Sequence, residues 1–199
     1  MLNKIKRWIQ FNLRYLGRPP WDTGISPPEL QYYLKSTPVG RALDVGCGTG
    51  TNLLTMATQG WEVVGVDFAG LSVIKSRIKL RNAGYNGRVI HGDVTGDLGF
   101  ETPFDLVLDI GCYHSLSPTG RQKYRDNLKG WLRSGGTLLM YAHWRTSGES
   151  AHGISETDLE AFQSFLTLKW RDDGDEVRKD GGGEFPATWV KYTCLESKQ

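Results

Sequence analysis

A chain of 199 residues fits one well-buried core of helices around a sheet, and its ordinary make-up, 39% hydrophobic and 23% charged, excludes a disordered or fibrous protein. The net charge of +2, from 24 basic and 22 acidic residues, gives no general reason to expect nucleic acid as a partner. Cys47, Cys112 and Cys194 lie far apart with no CxxC or Cys/His ligand spacing, so neither a disulfide framework nor a metal site is indicated. No apolar run approaches the roughly 20 residues of a membrane span, and the N-terminus lacks a signal-peptide pattern. The expectation is a soluble, unprocessed, cytoplasmic protein.

In chain order, Leu2, Ile5, Trp8, Ile9, Leu13 and Leu16 are spaced to suit one face of a helix. That helix is basic: Lys4, Lys6, Arg7, Arg14 and Arg18 meet no acidic residue before Asp22. Packing on the domain as part of a lid is the expected use, and peripheral membrane contact through residues 1–18 is the alternative. Residues 17–28, with four prolines, read as an extended, turn-rich stretch able to lie across a pocket mouth. Residues 1–30 are therefore taken as an N-terminal lid of a single domain covering 1–199.

From residue 41 the pattern alternates. Strands are predicted over 41–45, 61–66, 88–91, 104–110 and 137–142, and helices over 51–58, 71–83 and 121–132, the last ended by Ser134-Gly135-Gly136. This alternation implies an α/β fold with a mainly parallel sheet covered on both faces. The C-terminal part differs: a helix over 155–162, then strands over 165–170 and 188–195 joined by a long polar loop containing Gly181-Gly182-Gly183. Two strands without an intervening helix suit antiparallel neighbours.

The strongest local signal is Asp44-Val45-Gly46-Cys47-Gly48-Thr49-Gly50, an apolar strand running into a glycine turn before a helix. Glycines at 46, 48 and 50 clear side chains from the backbone, and a helix start offers unpaired N–H groups. A dinucleotide-binding GxGxxG would need glycine where this chain has Thr51, and Asp44 before the first glycine suits an ammonium group better than a pyrophosphate. Asp67, ending the second strand, can accept from both ribose hydroxyls, with Phe68 against the adenine face. Asp93, beside Val94 after the third strand, can accept from the adenine amino group.

On these pieces, LDVGCGTG (43–50), GVDF (65–68), HGDV (91–94), FDLVLDIG (104–111) and RSGGTLLM (133–140), the sequence resembles the class I S-adenosylmethionine-dependent methyltransferases. The resemblance implies a doubly wound, Rossmann-like, seven-stranded, mostly parallel sheet with an antiparallel last strand. It also implies that the glycine turn faces the methionine moiety, that Asp67 holds the ribose and that Asp93 reads adenine. Asp109, or a backbone carbonyl beside it, would meet the methionine ammonium. A narrower likeness, Pro20-Trp21-Asp22-Thr23-Gly24 followed by prolines and a helix, resembles the entry region of halide/thiol, thiopurine and tellurite-resistance methyltransferases. Trp21 becomes a lid residue on that likeness; the glycine turn itself departs from the thiopurine enzymes.

Candidates for the acceptor side follow strands four and five. His114 is the candidate general base and Tyr113 a pocket-lining donor, with His143 and Trp144 as the opposite wall. The expected function is methyl transfer from S-adenosylmethionine, leaving S-adenosylhomocysteine, to a small thiol, halide, hydroxyl or metalloid acceptor, without a metal, by a monomer or homodimer. The alternatives are a lipid-like or macromolecular substrate docked by the basic helix, and a binding module that holds the cofactor without transferring methyl.

Overall fold

Short apolar stretches flanked by polar turns form the strands. The computed structural model describes residues 2–146, 152–177 and 184–195. By its contacts the chain divides into two units, Met1–Val94 and Thr95–Gln199. The seven strands make one sheet in the order β3-β2-β1-β4-β5-β7-β6, mostly parallel with β7 antiparallel to its neighbours, as the α/β reading expected.

In the first unit, helices α1 (Leu2–Arg14) and α2 (Pro28–Ser36) precede β1 (Arg41–Val45), α3 (Thr51–Thr58), β2 (Glu62–Asp67), α4 (Gly70–Asn82) and β3 (Arg88–His91). The three strands pair in parallel, Leu43 opposite Val64 and Val66 opposite Ile90. Parallel pairing needs helical crossovers, and α3 and α4 supply them, burying Leu53, Met56, Val73 and Leu80 with Leu43, Val45, Val64 and Val66. Pro28 starts α2, where a missing N–H costs nothing, and Leu30, Tyr33 and Leu34 form its buried face.

The second unit holds β4 (Phe104–Ile110), α5 (Pro118–Trp131), β5 (Leu132–His143), α6 (Glu156–Glu160), β6 (Leu166–Val177) and β7 (Glu184–Cys194). Several boundaries differ from expectation, each for a physical reason. Helix α5 begins three residues early because Ser117 caps it, accepting from the Gly120 N–H at 3.2 Å, and Pro118 takes the first helical position. Ser134-Gly135-Gly136 does not end a helix; it is an irregularity inside β5, where the pairing jumps from Phe104–Leu132 to Leu106–Thr137. A Cβ on Gly136 would stand 3.0 Å from the Phe104 carbonyl oxygen, so the bulge needs glycine there. The long polar loop expected over 171–186 is largely strand: β6 and β7 continue their pairing to Val177 and Glu184. Gly181-Gly182-Gly183 lie outside the described residues. The predicted helix over 155–162 is α6 followed by a 3-10 turn, Ala161–Ser164, and Ser155 and Asp158 form its capping box. No described helix is long and apolar enough to cross a membrane.

Candidate functional site

In the first unit, Asp44, Asp67 and Asp93 belong to the C-terminal ends of parallel strands or the residues just after them, the rim where ligands of open α/β sheets bind. The turn after β1 folds back on β2, both Gly46 and Cys47 donating to the Val66 carbonyl, at 2.8 and 3.0 Å. Gly50, the N-cap of α3, has a φ of 80°, and a Cβ there would meet Ser76 Oγ at 2.3 Å. Only glycine is accommodated at that position. Asp67 fastens the turn: Oδ2 accepts from Gly48 N–H at 2.9 Å and Oδ1 from Ala69 N–H at 2.8 Å. Burial pushes its carboxyl pKa up, and the N–H bonds from Ala69 and Gly48 work against that shift. A carboxylate has about four acceptor positions, so Asp67 can hold its loop and still accept from a ribose hydroxyl. Asp44 is buried, Asp93 half-buried and Val94 buried. Cys47 is a buried thiol, its pKa raised first by burial and then by Asp44. It is inert packing.

The N-terminal residues lie against this turn. Tyr15 is buried, and a Cβ on Gly48 would stand 3.2 Å from its hydroxyl, which accepts from Trp21 Nε1 at 3.2 Å. Phe11 sits between Trp21 and Phe68, at ring separations of 5.8 and 6.0 Å. Thr49 in the turn donates to Asp22 Oδ2 at 2.9 Å. Asp67 and Trp21 were legible as single residues; Phe11 and Tyr15 were not singled out, although their spacing of four on an amphipathic helix is the signal that would have found them. Phe68 meets Phe11 edge-on, leaving its role toward adenine a proposal.

In the second unit the loop after β4 is held from below. Asp109 is fully buried, accepting from Cys112 N–H at 2.9 Å and Tyr113 N–H at 3.1 Å. Burial lifts its pKa to about 7, against the Tyr113 N–H bond. Its carboxylate is thus turned into its own loop. Tyr113 is a core residue and not the pocket donor expected: it is 0% exposed, packs on Phe162 at 4.9 Å and Tyr124 at 5.2 Å, and its hydroxyl takes a bond from Arg125. Burial, foremost, raises its pKa to about 12.

His114 is buried beneath His143, ring on ring at 4.2 Å and 25°. His143 N–H donates to His114 Nδ1 at 2.9 Å. A ring nitrogen that accepts from a peptide N–H carries no proton, so neutral His114 carries its proton on Nε2. That nitrogen donates, which disfavours the general-base role expected. His152 adds a third ring, with side-chain ligand atoms of all three histidines within 4.8 Å of one another. His114 and His143 are stacked, whereas His152 meets both rings edge-on, at 70° and 71°. Tyr141 shares the His143 side of β5 at 5.4 Å. Trp144, the next residue, faces the other way under the Arg171 guanidinium at 4.8 Å, so His143 and Trp144 do not form one wall. Arg121, which sequence reasoning missed, anchors the region: 1% exposed, it binds Asp158 at 2.7 Å and the carbonyls of His114 and Gly153 at 3.0 and 2.6 Å.

Comparison with known proteins gives the family and the fold. A methyltransferase-domain family model matches residues 42–136, running across the boundary of the two units. A probable thiol methyltransferase of Arabidopsis thaliana is 31% identical over 151 residues, 72% of this chain and 66% of its own length. A thiocyanate methyltransferase of the same plant is 29% identical over 61% of this chain and 56% of its own. The chain thus spans about two thirds or less of these relatives. The crystal structure of the N-methyltransferase NodS from Bradyrhizobium japonicum, in complex with S-adenosyl-L-homocysteine, superposes with a TM-score of 0.76 at 18% identity, covering 95% of this chain and 99% of that one. The chain belongs to the class I S-adenosylmethionine-dependent methyltransferases.

Proposed function

We propose that this protein transfers the methyl group of S-adenosylmethionine to a small acceptor that arrives already ionised, a thiolate above all. The observation that carries this reading is the His143 N–H bond to His114 Nδ1, which places the proton of the neutral ring on Nε2, so that neither ring nitrogen offers a lone pair to take a proton. The cofactor supplies, when bound, a methyl on a sulfonium that already carries its leaving group. The chain's residues orient and desolvate. Asp67 holds the nucleoside and the glycine turn lies against the methionine end, Asp93 and Val94 take the adenine, and Trp21 with Phe11 covers the turn. The positive φ at Gly46, Gly48 and Gly50 gives the turn the tight path that ends β1 beside Asp67, the carboxylate assigned to the ribose. His114 and His143 are assigned to the acceptor. A thiolate takes the methyl with no proton removed by the protein, and the reading needs no metal. The names of the thiol and thiocyanate relatives point the same way.

The test is release of S-adenosylhomocysteine across thiols, thiocyanate, phenols and amines as a function of pH. Turnover is expected with thiols, and kcat/KM should follow the acceptor's ionisation, moving to lower pH when an alkyl thiol is replaced by an aromatic one. His114→Gln, which places an amide N–H near the Nε2 position, should stay within about tenfold of wild type, whereas loss of a general base costs about a hundredfold or more. A pH limb that stays fixed for every acceptor, together with a collapse in His114→Gln, would restore the base role.

A further inference from the structure

Helices α1 and α4 contain four basic residues each, Lys4, Lys6, Arg7 and Arg14 in one and Lys75, Arg77, Lys79 and Arg81 in the other, and no acidic residue. The remaining 16 basic residues of the chain face 22 acidic ones, so a net charge of +2 conceals +8 on two helices and −6 elsewhere. The two helices are neighbours within the first unit. Asn12 Oδ1 accepts from the Leu71 N–H at 3.1 Å, and Lys75 Nζ reaches the Gly17 carbonyl at 3.1 Å.

The apolar residues on these helices divide in two. Phe11 and Tyr15 pack inward, whereas Ile9, Leu13 and Leu16 are 46, 59 and 70% exposed. Ile74 and Ile78, on the same face of α4 as Leu71 and Lys75, are 52 and 42% exposed. Five large aliphatic side chains thus stand in solvent on two adjoining helices and the turn that follows α1. Lys6, Arg14 and Arg81 are exposed beside them. Aliphatic side chains interleaved with bases, on two helices that contain no acid, match the chemistry of a membrane interface, where the acyl boundary takes the aliphatics and anionic headgroups take the cations. Nucleic acid would use the bases and leave the aliphatics unexplained; a second copy would set this basic face against itself. We propose that the α1–α4 face docks this protein on an anionic phospholipid surface.

The test is co-sedimentation of the full chain with vesicles of neutral phosphatidylcholine, and with vesicles containing roughly a third phosphatidylglycerol. Binding is expected to the anionic vesicles alone and to fall steeply between about 0.1 and about 0.5 M salt. Lys6→Glu with Arg81→Glu should weaken it by about twentyfold or more, since each base near the surface contributes about fivefold. Leu13→Glu with Ile78→Glu should abolish it while leaving thiol turnover in free solution unchanged. The salt and lipid dependence of the unmodified protein decides the matter if a variant fails to fold. Absence of binding to anionic vesicles, equal binding to neutral ones, or binding untouched by Leu13→Glu with Ile78→Glu overturns the proposal. So does concentration-dependent self-association or RNA binding through this face without vesicle binding.

Discussion

Asp109 shows how a residue that resembles a ligand-binding carboxylate can instead serve its own loop. Its folded pKa of about 7 stands well above the ordinary 3.8 because burial penalises the charge more than the Tyr113 and Cys112 N–H bonds reward it. The folded chain therefore holds a proton that the unfolded chain has released, and folding takes one up across that window. The stability this group lends is full below 3.8 and is lost as pH rises toward 7. Asp109→Asn can keep the Oδ1 contacts to both N–H groups and removes the titration. From about pH 5 to about pH 8, wild type should lose about 2–3 kcal/mol relative to the variant, read as the difference of urea-unfolding free energies. Parallel pH profiles would show that the carboxyl is ionised in the fold throughout.

At the scale of elements, the pieces whose pattern is local were legible in the sequence. Strands β1, β3 and β4 and helix α3 have their predicted limits because each is an apolar run or amphipathic turn bounded by glycine or polar residues. The same holds for the glycine turn with Asp67. What was not legible depends on partners distant in sequence. Ser134-Gly135-Gly136 has the composition of a turn but is drawn into β5 by pairing with β4, and the polar stretch after Arg171 becomes strand because β7 pairs with it. Tyr113 and His114 are adjacent in one loop, yet one is core and the other stacks on His143, a distinction set by Phe162, Tyr124 and β5. Arg121 joins α5, the His114 loop and α6 through one buried guanidinium, which no motif announces. Arg121→Met should lower stability by about 3–5 kcal/mol, because Asp158 and two carbonyls lose their partner. Adding Asp158→Asn should recover part of that loss in urea melts; an unchanged midpoint in the single variant would remove Arg121 from its anchoring place.

Across the whole molecule, chemistry is divided along the chain. The first unit carries the glycine turn, the three rim carboxylates and the aromatic cover of Phe11, Tyr15 and Trp21; the second carries the histidine stack. The family model spans parts of both. Everything proposed about the acceptor depends on the cofactor being held on the glycine turn by Asp67. Calorimetric titration of S-adenosylhomocysteine into wild type and Asp67→Ala tests that claim most directly. The account predicts one site per chain in wild type and an affinity lower by about 1.5–3 kcal/mol in the variant, the loss of hydrogen bonds to a charged group. Equal affinity in a variant that remains folded would contradict it.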